Sequence, residues 1–251
     1  MVKMTLIAHI SDLHVGTKGF SKDALFSVID EINCLAPDFV VLTGDITEKG
    51  YYNEYLKAVD YLKLFKSPVY PVPGNHDSRN VGNETFEELI GERNWAKTIH
   101  KNEKMLVIGL DSSGPDIDEG HVGRPQQLWM ENILEESFSR CLFSIVAIHH
   151  HVIPVPKTGR EKSVLSDAGD ILKSLTDNNV DIVMCGHRHV PYLWKIENTL
   201  FISAGTTSST KLRGRSLNSF NTYDISEKHI DVILNQLDGS KITLGKVKRA
   251  F

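Results

Sequence analysis

Apolar runs of strand length alternate along the first part of the chain with segments of helical periodicity. One helix is predicted to begin after Ser21 and end before Pro37, and a second is predicted over residues 53–65. This alternation is typical of a doubly wound α/β fold, in which ligands bind at the carboxyl ends of the strands. The predicted strands of this part are residues 4–10, 39–42 and 69–72.

The rest of the chain continues the pattern with more antiparallel character. Strands are predicted over residues 104–110, 142–148 and 180–185, and helices near Pro125 and over residues 167–176. Short β-branched and aromatic runs follow Pro191 and predict a meander of antiparallel strands over residues 192–196, 200–202, 220–225 and 230–234. The predicted architecture is a four-layer α/β/β/α sandwich, in which two mixed β-sheets are flanked by helices, within a single domain spanning residues 1–251.

Carboxylate, imidazole and carboxamide side chains follow predicted strands at five places, and seven of the eleven histidines belong to them. These side chains suit a divalent transition metal, and the lack of thiolate favours manganese, iron or zinc over a magnesium site. Because strand ends meet at one edge of a fold, the five places predict one site for two metal ions. They are Asp12-Leu13-His14, Gly44-Asp45, Gly74-Asn75-His76-Asp77, His149-His150-His151 and Gly186-His187-Arg188-His189.

The order of these motifs resembles that of the metallophosphoesterases, the calcineurin-like superfamily, whose pattern is D-x-H, G-D, G-N-H-[DE], H and G-H-x-H. The motifs cover residues 12–189. Chain length and the triple histidine are most similar to the class III cyclic nucleotide phosphodiesterases. The resemblance implies the same four-layer fold, and hydrolysis of phosphodiesters by a metal-activated water.

The resemblance also implies which side chains hold each ion, with Asp45 bridging the pair. The first ion would be completed by Asp12, His14 and His189, and the second by Asn75, His187 and one histidine of residues 149–151. His149 is favoured because it directly follows a predicted strand. His150 is the alternative, because the alignment with relatives can shift by one residue here.

Spacing supports part of this assignment. Residues two apart in an extended backbone share a face, so Asp12 and His14 are expected to reach the same ion. His187 and His189 have the same spacing but are implied to bind different ions. That division requires the backbone to turn at the end of the strand.

His76 is not needed as a ligand in this scheme. A histidine is suited to protonating a leaving alkoxide, so His76 is predicted to be a general acid or a hydrogen-bond donor in the transition state. Asp77 is predicted to orient the His76 ring. These two residues are the predicted catalytic pair, whereas the sequence identifies no substrate-binding residue.

Charge at such a centre favours small phosphodiester substrates. Two carboxylate ligands and a bridging hydroxide carry roughly −3 against roughly +4 from two divalent ions, which leaves about +1. A singly charged diester matches this charge, whereas a doubly charged monoester exceeds it. Substrates such as cyclic nucleotides or glycerophosphodiesters are therefore expected.

Composition limits the partners and the location. The formal net charge of −4 gives no overall basic field, so nucleic acid is possible as a partner but not favoured. Three cysteines without a C-x-x-C pair suit a reducing compartment. No apolar stretch approaches the length of a membrane span. We therefore expect a cytoplasmic protein without a membrane partner, and the sequence leaves its oligomeric state open.

Two alternative functions stay open. A DNA nuclease of the repair type shares the motifs at residues 12–16 and 74–77, although the acidic balance disfavours it. A catalytically silent scaffold of the same fold is disfavoured by the intact motifs. Two loops, residues 152–163 and 205–215, are predicted to be solvated, with substrate binding as the alternative. Their basic residues are Lys157, Arg160, Lys162, Lys211, Arg213 and Arg215.

Overall fold

A computed structural model describes residues 4–100, 102–139, 142–156, 158, 164–213 and 216–249. Within these residues the chain forms five helices and twelve strands. The helices are α1 (Lys22–Leu35), α2 (Tyr52–Leu62), α3 (Gly82–Leu89), α4 (Arg124–Ser139) and α5 (Ala168–Asp177). The strands are β1 (Thr5–Ile10), β2 (Phe39–Thr43), β3 (Val69–Val72), β4 (Trp95–His100), β5 (Lys104–Leu110), β6 (Phe143–Ile148), β7 (Ile182–Cys185), β8 (Tyr192–Ile196), β9 (Thr199–Ser203), β10 (Ser219–Ile225), β11 (His229–Gln236) and β12 (Lys241–Lys248).

The strands form two mixed sheets of six strands each. The first sheet has the order β12-β11-β10-β1-β2-β3, and β1, β2 and β3 are parallel to one another. The second has the order β4-β5-β6-β7-β9-β8, in which the four inner strands are parallel and the two edge strands antiparallel. The carboxyl ends of the parallel strands therefore lie at one edge of each sheet.

The main core lies between the two sheets. Ile7 and Val41 of the first sheet belong to one buried cluster with Val107 and Ile145 of the second. Successive side chains of a strand point to opposite faces, so Ala8 joins a different cluster, with α1, α2 and α3 on the outer face of the first sheet. A third cluster joins α4 and α5 to the outer face of the second sheet. This arrangement confirms the predicted α/β/β/α sandwich.

The first helix begins as predicted. Ser21 has an extended backbone, and its hydroxyl accepts a hydrogen bond from the N–H of Ala24 at 3.2 Å, which satisfies a donor of the first turn. The helix ends at Leu35, before Pro37. Its buried side chains include Leu25 and Ile29, at the spacing that places them on one face.

The predicted meander after Pro191 is wrong in its pairing. β8 and β9 belong to the second sheet, where β9 is parallel to β7, whereas β10 and β11 belong to the first. Only β10, β11 and β12 form a continuous set of three antiparallel strands among the strands described after that proline.

Three elements, α3, β4 and β12, are not predicted from the sequence. Across the described ranges, no helix combines the length and the apolar character that a bilayer span requires.

Candidate dinuclear metal centre

The side chains predicted as ligands lie on tight turns at the strand ends. Five of them have a positive φ: Asp12 (56°), His14 (53°), Asp45 (51°), His187 (70°) and His189 (58°). A positive φ is uncommon outside glycine and persists where the surrounding structure holds a strained turn. The expectation that Asp12 and His14 share a face of an extended backbone is therefore wrong, because β1 ends at Ile10 and the chain turns after it.

Two buried hydroxyl groups hold the first of these turns. Thr206 Oγ1 donates to the carbonyl of Asp12 at 2.7 Å, and Ser208 Oγ donates to the carbonyl of Leu13 at 3.0 Å. Both hydroxyl residues are buried. Their bonds satisfy carbonyl groups that would otherwise be buried without a donor. We call Thr206 and Ser208 the hydroxyl clasp, a role that sequence analysis missed.

The first group of candidate ligands consists of Asp12, His14 and His189. The Nε2 atoms of the two histidines are 3.1 Å apart, and Asp12 Oδ1 is 3.2 Å from Nε2 of His189. Nδ1 of His14 donates to Glu48 Oε2 at 2.9 Å, and Nδ1 of His189 donates to the carbonyl of Lys211 at 2.8 Å. Since these oxygens accept hydrogen bonds, each Nδ1 carries a proton, and the Nε2 lone pairs of the neutral rings face each other.

The second group consists of Asn75, His149 and His187. Asn75 Oδ1 is 3.1 Å from both His149 Nε2 and His187 Nδ1, and these two nitrogens are 3.3 Å apart. Nδ1 of His149 donates to the carbonyl of Thr43 at 2.7 Å, so its Nε2 offers a lone pair in the neutral ring. Asn75 Nδ2 donates to Asp118 Oδ1 at 3.1 Å, which turns the amide oxygen toward the two rings.

Asp45 lies between the two groups. Its Oδ2 is 3.6 Å from Nε2 of His14, and its Oδ1 is 3.4 Å from Nε2 of His149. In each group, oxygen and nitrogen lone pairs converge, and the buried Oδ1 of Asp12 forms no hydrogen bond within the described part of the chain. Such a donor set, with the second nitrogen of a histidine held by a backbone carbonyl or carboxylate, fits a divalent cation in each group.

The turn that carries His187 and His189 directs the two side chains to different groups of candidate ligands, as the implied assignment to two ions requires. His187 contacts Asn75 of the second group, whereas His189 contacts Asp12 of the first. Both histidines have a positive φ, and the N–H of Arg188 between them donates to the Gly186 carbonyl at 2.8 Å. The backbone therefore turns where the sequence pattern needs it to turn.

Electrostatics at the centre favour positive charge. Burial lowers the pKa of His149, but Asp45 and Asp12 outweigh this effect and raise the pKa to about 9. Burial alone would raise the pKa of Asp45, yet His149 and His76 hold it well below its usual value. Asp45 is therefore ionised at neutral pH, as a metal ligand must be.

His149, rather than His150, faces the second group. Nδ1 of His150 lies 2.8 Å from Ser112 Oγ, and its Nε2 lies 3.1 Å from the carbonyl of Asp118. Burial, and then the neighbouring His149, lower the pKa of His150 to about 3. The two ring nitrogens of His150 are thus engaged away from Asp45, which supports His149 as the ligand of this run.

Glu48, rather than Asp77, orients the His76 ring, and this corrects the prediction. Nδ1 of His76 donates to the carbonyl of Glu48 at 2.8 Å. The Asp77 carboxylate instead accepts hydrogen bonds of 2.8–3.1 Å from the backbone N–H groups of Thr47, Gly74 and Ile46. Asp77 therefore fastens the turn that carries Asp45 to the turn that carries Asn75.

Two acidic residues outside the motifs, Glu48 and Asp118, form hydrogen bonds to candidate metal ligands. Sequence analysis missed both. Besides its bond to the first group, Glu48 accepts from Lys211 Nζ at 2.8 Å. Burial would raise the pKa of Glu48, but its hydrogen bonds to a histidine of the first group and to Lys211 lower it to about 2. Asp118 accepts from Asn75 and, at 2.6 Å, from Arg79 Nη2. Neither acid belongs to a recognisable motif, so the sequence offers little signal for them.

A cavity of about 360 Å³ adjoins both groups. Besides candidate ligands it is lined by His76, Asp118, Arg188, Lys211, Leu212 and Arg213. Lys211 and Arg213 are exposed, as predicted, but they form part of the cavity wall, which favours the alternative that this loop meets the substrate. The other basic loop residues, Lys157, Arg160, Lys162 and Arg215, lie outside the described residues.

The sequence is similar to those of known proteins. Residues 5–191 match the sequence model of the calcineurin-like phosphoesterases. The chain is 31% identical, over 200 residues, to a protein of Arcobacter nitrofigilis named probable glycerophosphodiester phosphodiesterase GpdQ, covering 73% of this chain and 71% of the relative. It is 25% identical, over 242 residues, to a Coxiella burnetii protein named probable cyclic nucleotide phosphodiesterase, covering 94% and 90%.

The fold is shared with solved structures as well. A dimetal phosphatase from Danio rerio superimposes with a TM-score of 0.73 at 14% identity, covering 96% of this chain and 98% of that one. At this identity the likeness shows the fold alone. The sequence match over residues 5–191 includes all the motifs that build the centre. This chain therefore belongs to the calcineurin-like phosphoesterase family, whose members use divalent metal ions, and it is a metal-dependent phosphoesterase.

Proposed function

We propose that this chain hydrolyses phosphodiesters of small molecules, such as cyclic nucleotides or glycerophosphodiesters, as a single domain with two divalent metal ions. The observation that carries the proposal is Asp45, whose two carboxylate oxygens face two separate groups of ligand atoms. The relatives named as phosphodiesterases support a diester substrate. A cavity of about 360 Å³ suits a small molecule.

In this proposal Asp45 would be the residue that holds both ions. The ions, which we propose to be manganese, iron or zinc, would supply an activated water and the positive charge that stabilises the attacking and leaving oxygens. The first ion would be held by Asp12, His14 and His189, and the second by Asn75, His149 and His187.

His76 is proposed to assist the leaving oxygen. Its ring lines the cavity, and its Nδ1 is held by the carbonyl of Glu48, so Nε2 is the nitrogen left for the substrate. From there a protonated ring can donate to the alkoxide as it departs. Asp77 acts one step further away, because it positions the turns that carry Asp45 and Asn75.

The two other functions explain less of the geometry. A net charge of −4 provides no general attraction for DNA, which a nuclease would use. A silent scaffold gives no reason for two groups of lone pairs to converge on either side of Asp45. Turnover of single-stranded DNA above cyclic nucleotides and bis(p-nitrophenyl) phosphate would favour the nuclease, and turnover of none would favour the scaffold.

Metal removal is the first test of the proposal. We expect about two ions per chain by elemental analysis, since two groups of ligands share one bridge. A chelator should abolish hydrolysis of bis(p-nitrophenyl) phosphate, and manganese should restore it best. Full activity in metal-free protein would contradict the proposal.

A preference for diesters over monoesters is the second expected result. The centre carries about +1 with two divalent ions, two carboxylates and a hydroxide, which a singly charged diester neutralises. With manganese at neutral pH, bis(p-nitrophenyl) phosphate should therefore be hydrolysed faster than p-nitrophenyl phosphate. If the monoester is the better substrate, the result favours a phosphatase, and Arg160 or Arg188 becomes the next phosphate ligand to examine.

A further inference from the structure

Basic side chains are concentrated on the wall of the cavity. Arg188, Lys211 and Arg213 all line it. Lys211 Nζ is paired with Glu48 at 2.8 Å. Asp118 also lines the cavity, but it is already paired with an arginine, Arg79, at 2.6 Å. Glu48 and Asp118 are therefore each paired with a cation other than Arg213.

Arg213 has no carboxylate partner among the residues that the structure describes. Its Nη1 donates to the carbonyl of Thr158 at 3.1 Å, and Nη2 of Arg188 donates to the same carbonyl at 2.6 Å. Two guanidinium groups thus share one neutral acceptor, which brings like charges together. A guanidinium has five N–H donors in a planar fork, so Arg213 keeps donors for a further acceptor. A phosphate or carboxylate group can accept those bonds.

Lys211, which lies close to Arg213 in the sequence, is held at the metal centre. The carbonyl of Lys211, two residues earlier, accepts from Nδ1 of His189 at 2.8 Å. The Lys211 side chain is also held by Glu48, which contacts His14. Arg213 lines the same cavity as His14 and His189, so a ligand that meets Arg213 would lie in the cavity that adjoins the candidate metal ligands.

We propose that Arg213, next to Arg188, forms an anion subsite that binds a second, non-reacting anionic group of the substrate. The inference rests on the proposed function, because it names the class of diester: one that carries an additional phosphate or carboxylate on one of its alcohol parts. The reacting diester neutralises the charge of about +1 at the two ions, so a second anion needs its own partner. Arg213 is that partner.

Two chromogenic substrates that differ only in the second anion test this inference. They are the p-nitrophenyl ester of thymidine 5′-phosphate and the same ester with an additional 3′-phosphate. Both release p-nitrophenolate by cleavage of the same diester bond. We expect kcat/KM to be about tenfold higher for the 3′-phosphorylated ester, as a charge-assisted hydrogen bond gives. Because Arg213 is exposed, the preference should shrink as salt rises.

Matched variants assign the preference to Arg213. In Arg213→Gln the ratio of the two kcat/KM values should fall close to one, and in Arg213→Lys part of it should return. Arg124→Gln makes the same change on α4, outside the cavity, at a side chain that is 63% exposed, and should keep the wild-type ratio. Calorimetric binding of thymidine 3′,5′-bisphosphate and thymidine 5′-monophosphate should show the same pattern without turnover.

The outcomes separate this inference from the proposed function. If both esters are hydrolysed with equal kcat/KM, or if Arg213→Gln keeps the wild-type ratio, the anion subsite is wrong and the diesterase proposal stands. If neither ester is hydrolysed in the presence of manganese, the diesterase proposal itself is wrong. A ratio that collapses in Arg213→Gln and persists in Arg124→Gln supports the subsite.

Discussion

Asp45→Asn is expected to remove at least one metal ion per chain and to lower turnover by more than about 100-fold, since even outer-shell changes at metal sites cost 10–100-fold. The two carboxylate oxygens face His14 at 3.6 Å and His149 at 3.4 Å. An asparagine of the same shape must direct its NH₂ group at one of these groups and also loses the negative charge. Elemental analysis and hydrolysis of bis(p-nitrophenyl) phosphate measure the two losses.

The matched control is Asp60→Asn, which makes the same chemical change at a side chain that is 78% exposed and pairs with Lys63. This variant should keep both ions and full turnover. Retention of two ions with parental affinity in Asp45→Asn would rule out the bridge.

His76→Ala should keep both ions yet lower turnover of alkyl phosphodiesters by 10²–10⁴, the usual contribution of a general acid. The loss should be smaller for p-nitrophenyl esters, because p-nitrophenolate leaves without being protonated. Comparing cyclic AMP with bis(p-nitrophenyl) phosphate in the same variant therefore separates proton donation from mere support of the site. Metal content is measured on the same samples.

His121→Ala is the matched control for that experiment. His121 is 63% exposed and contacts Ser166, and it does not line the cavity, so neither substrate should be affected. Loss of a metal ion in His76→Ala would make His76 a ligand. An equal loss of turnover for good and poor leaving groups would make it a positioning residue.

The identity of the candidate ligands could be predicted because each lies in a short motif directly after a strand. The turns that orient these side chains could not be predicted. The left-handed conformation of Asp12 is held by Thr206, a residue 194 positions away in the chain, and a local pattern carries no sign of that contact. The roles of Glu48 and Asp118 could not be predicted for the same reason, because the tertiary fold determines which residues they contact.

The strands that were missed lie at sheet edges. β12 has five exposed and no fully buried residues among its eight, so it lacks the buried alternation by which a strand is recognised. β4 also lies at an edge and has a single buried residue, Trp95. The error in the predicted meander is of another kind. Its strands were located correctly, but a short apolar run in the sequence does not indicate which other strand it will pair with. β9 pairs with β7 in the sheet, although β8 lies between these two strands in the sequence.

The hydroxyl clasp makes the first turn of the metal centre depend on a segment that is remote from it in the sequence. Thr206 and Ser208 follow the last candidate ligand, His189, in the sequence, and they are succeeded by β10, the antiparallel neighbour of β1. A nascent chain that has just passed residue 189 therefore carries every candidate ligand but lacks the hydroxyls that hold the first turn. The first group of candidate ligands is therefore completed by long-range contacts, because the turn at Asp12 is held only after this segment has docked beside β1.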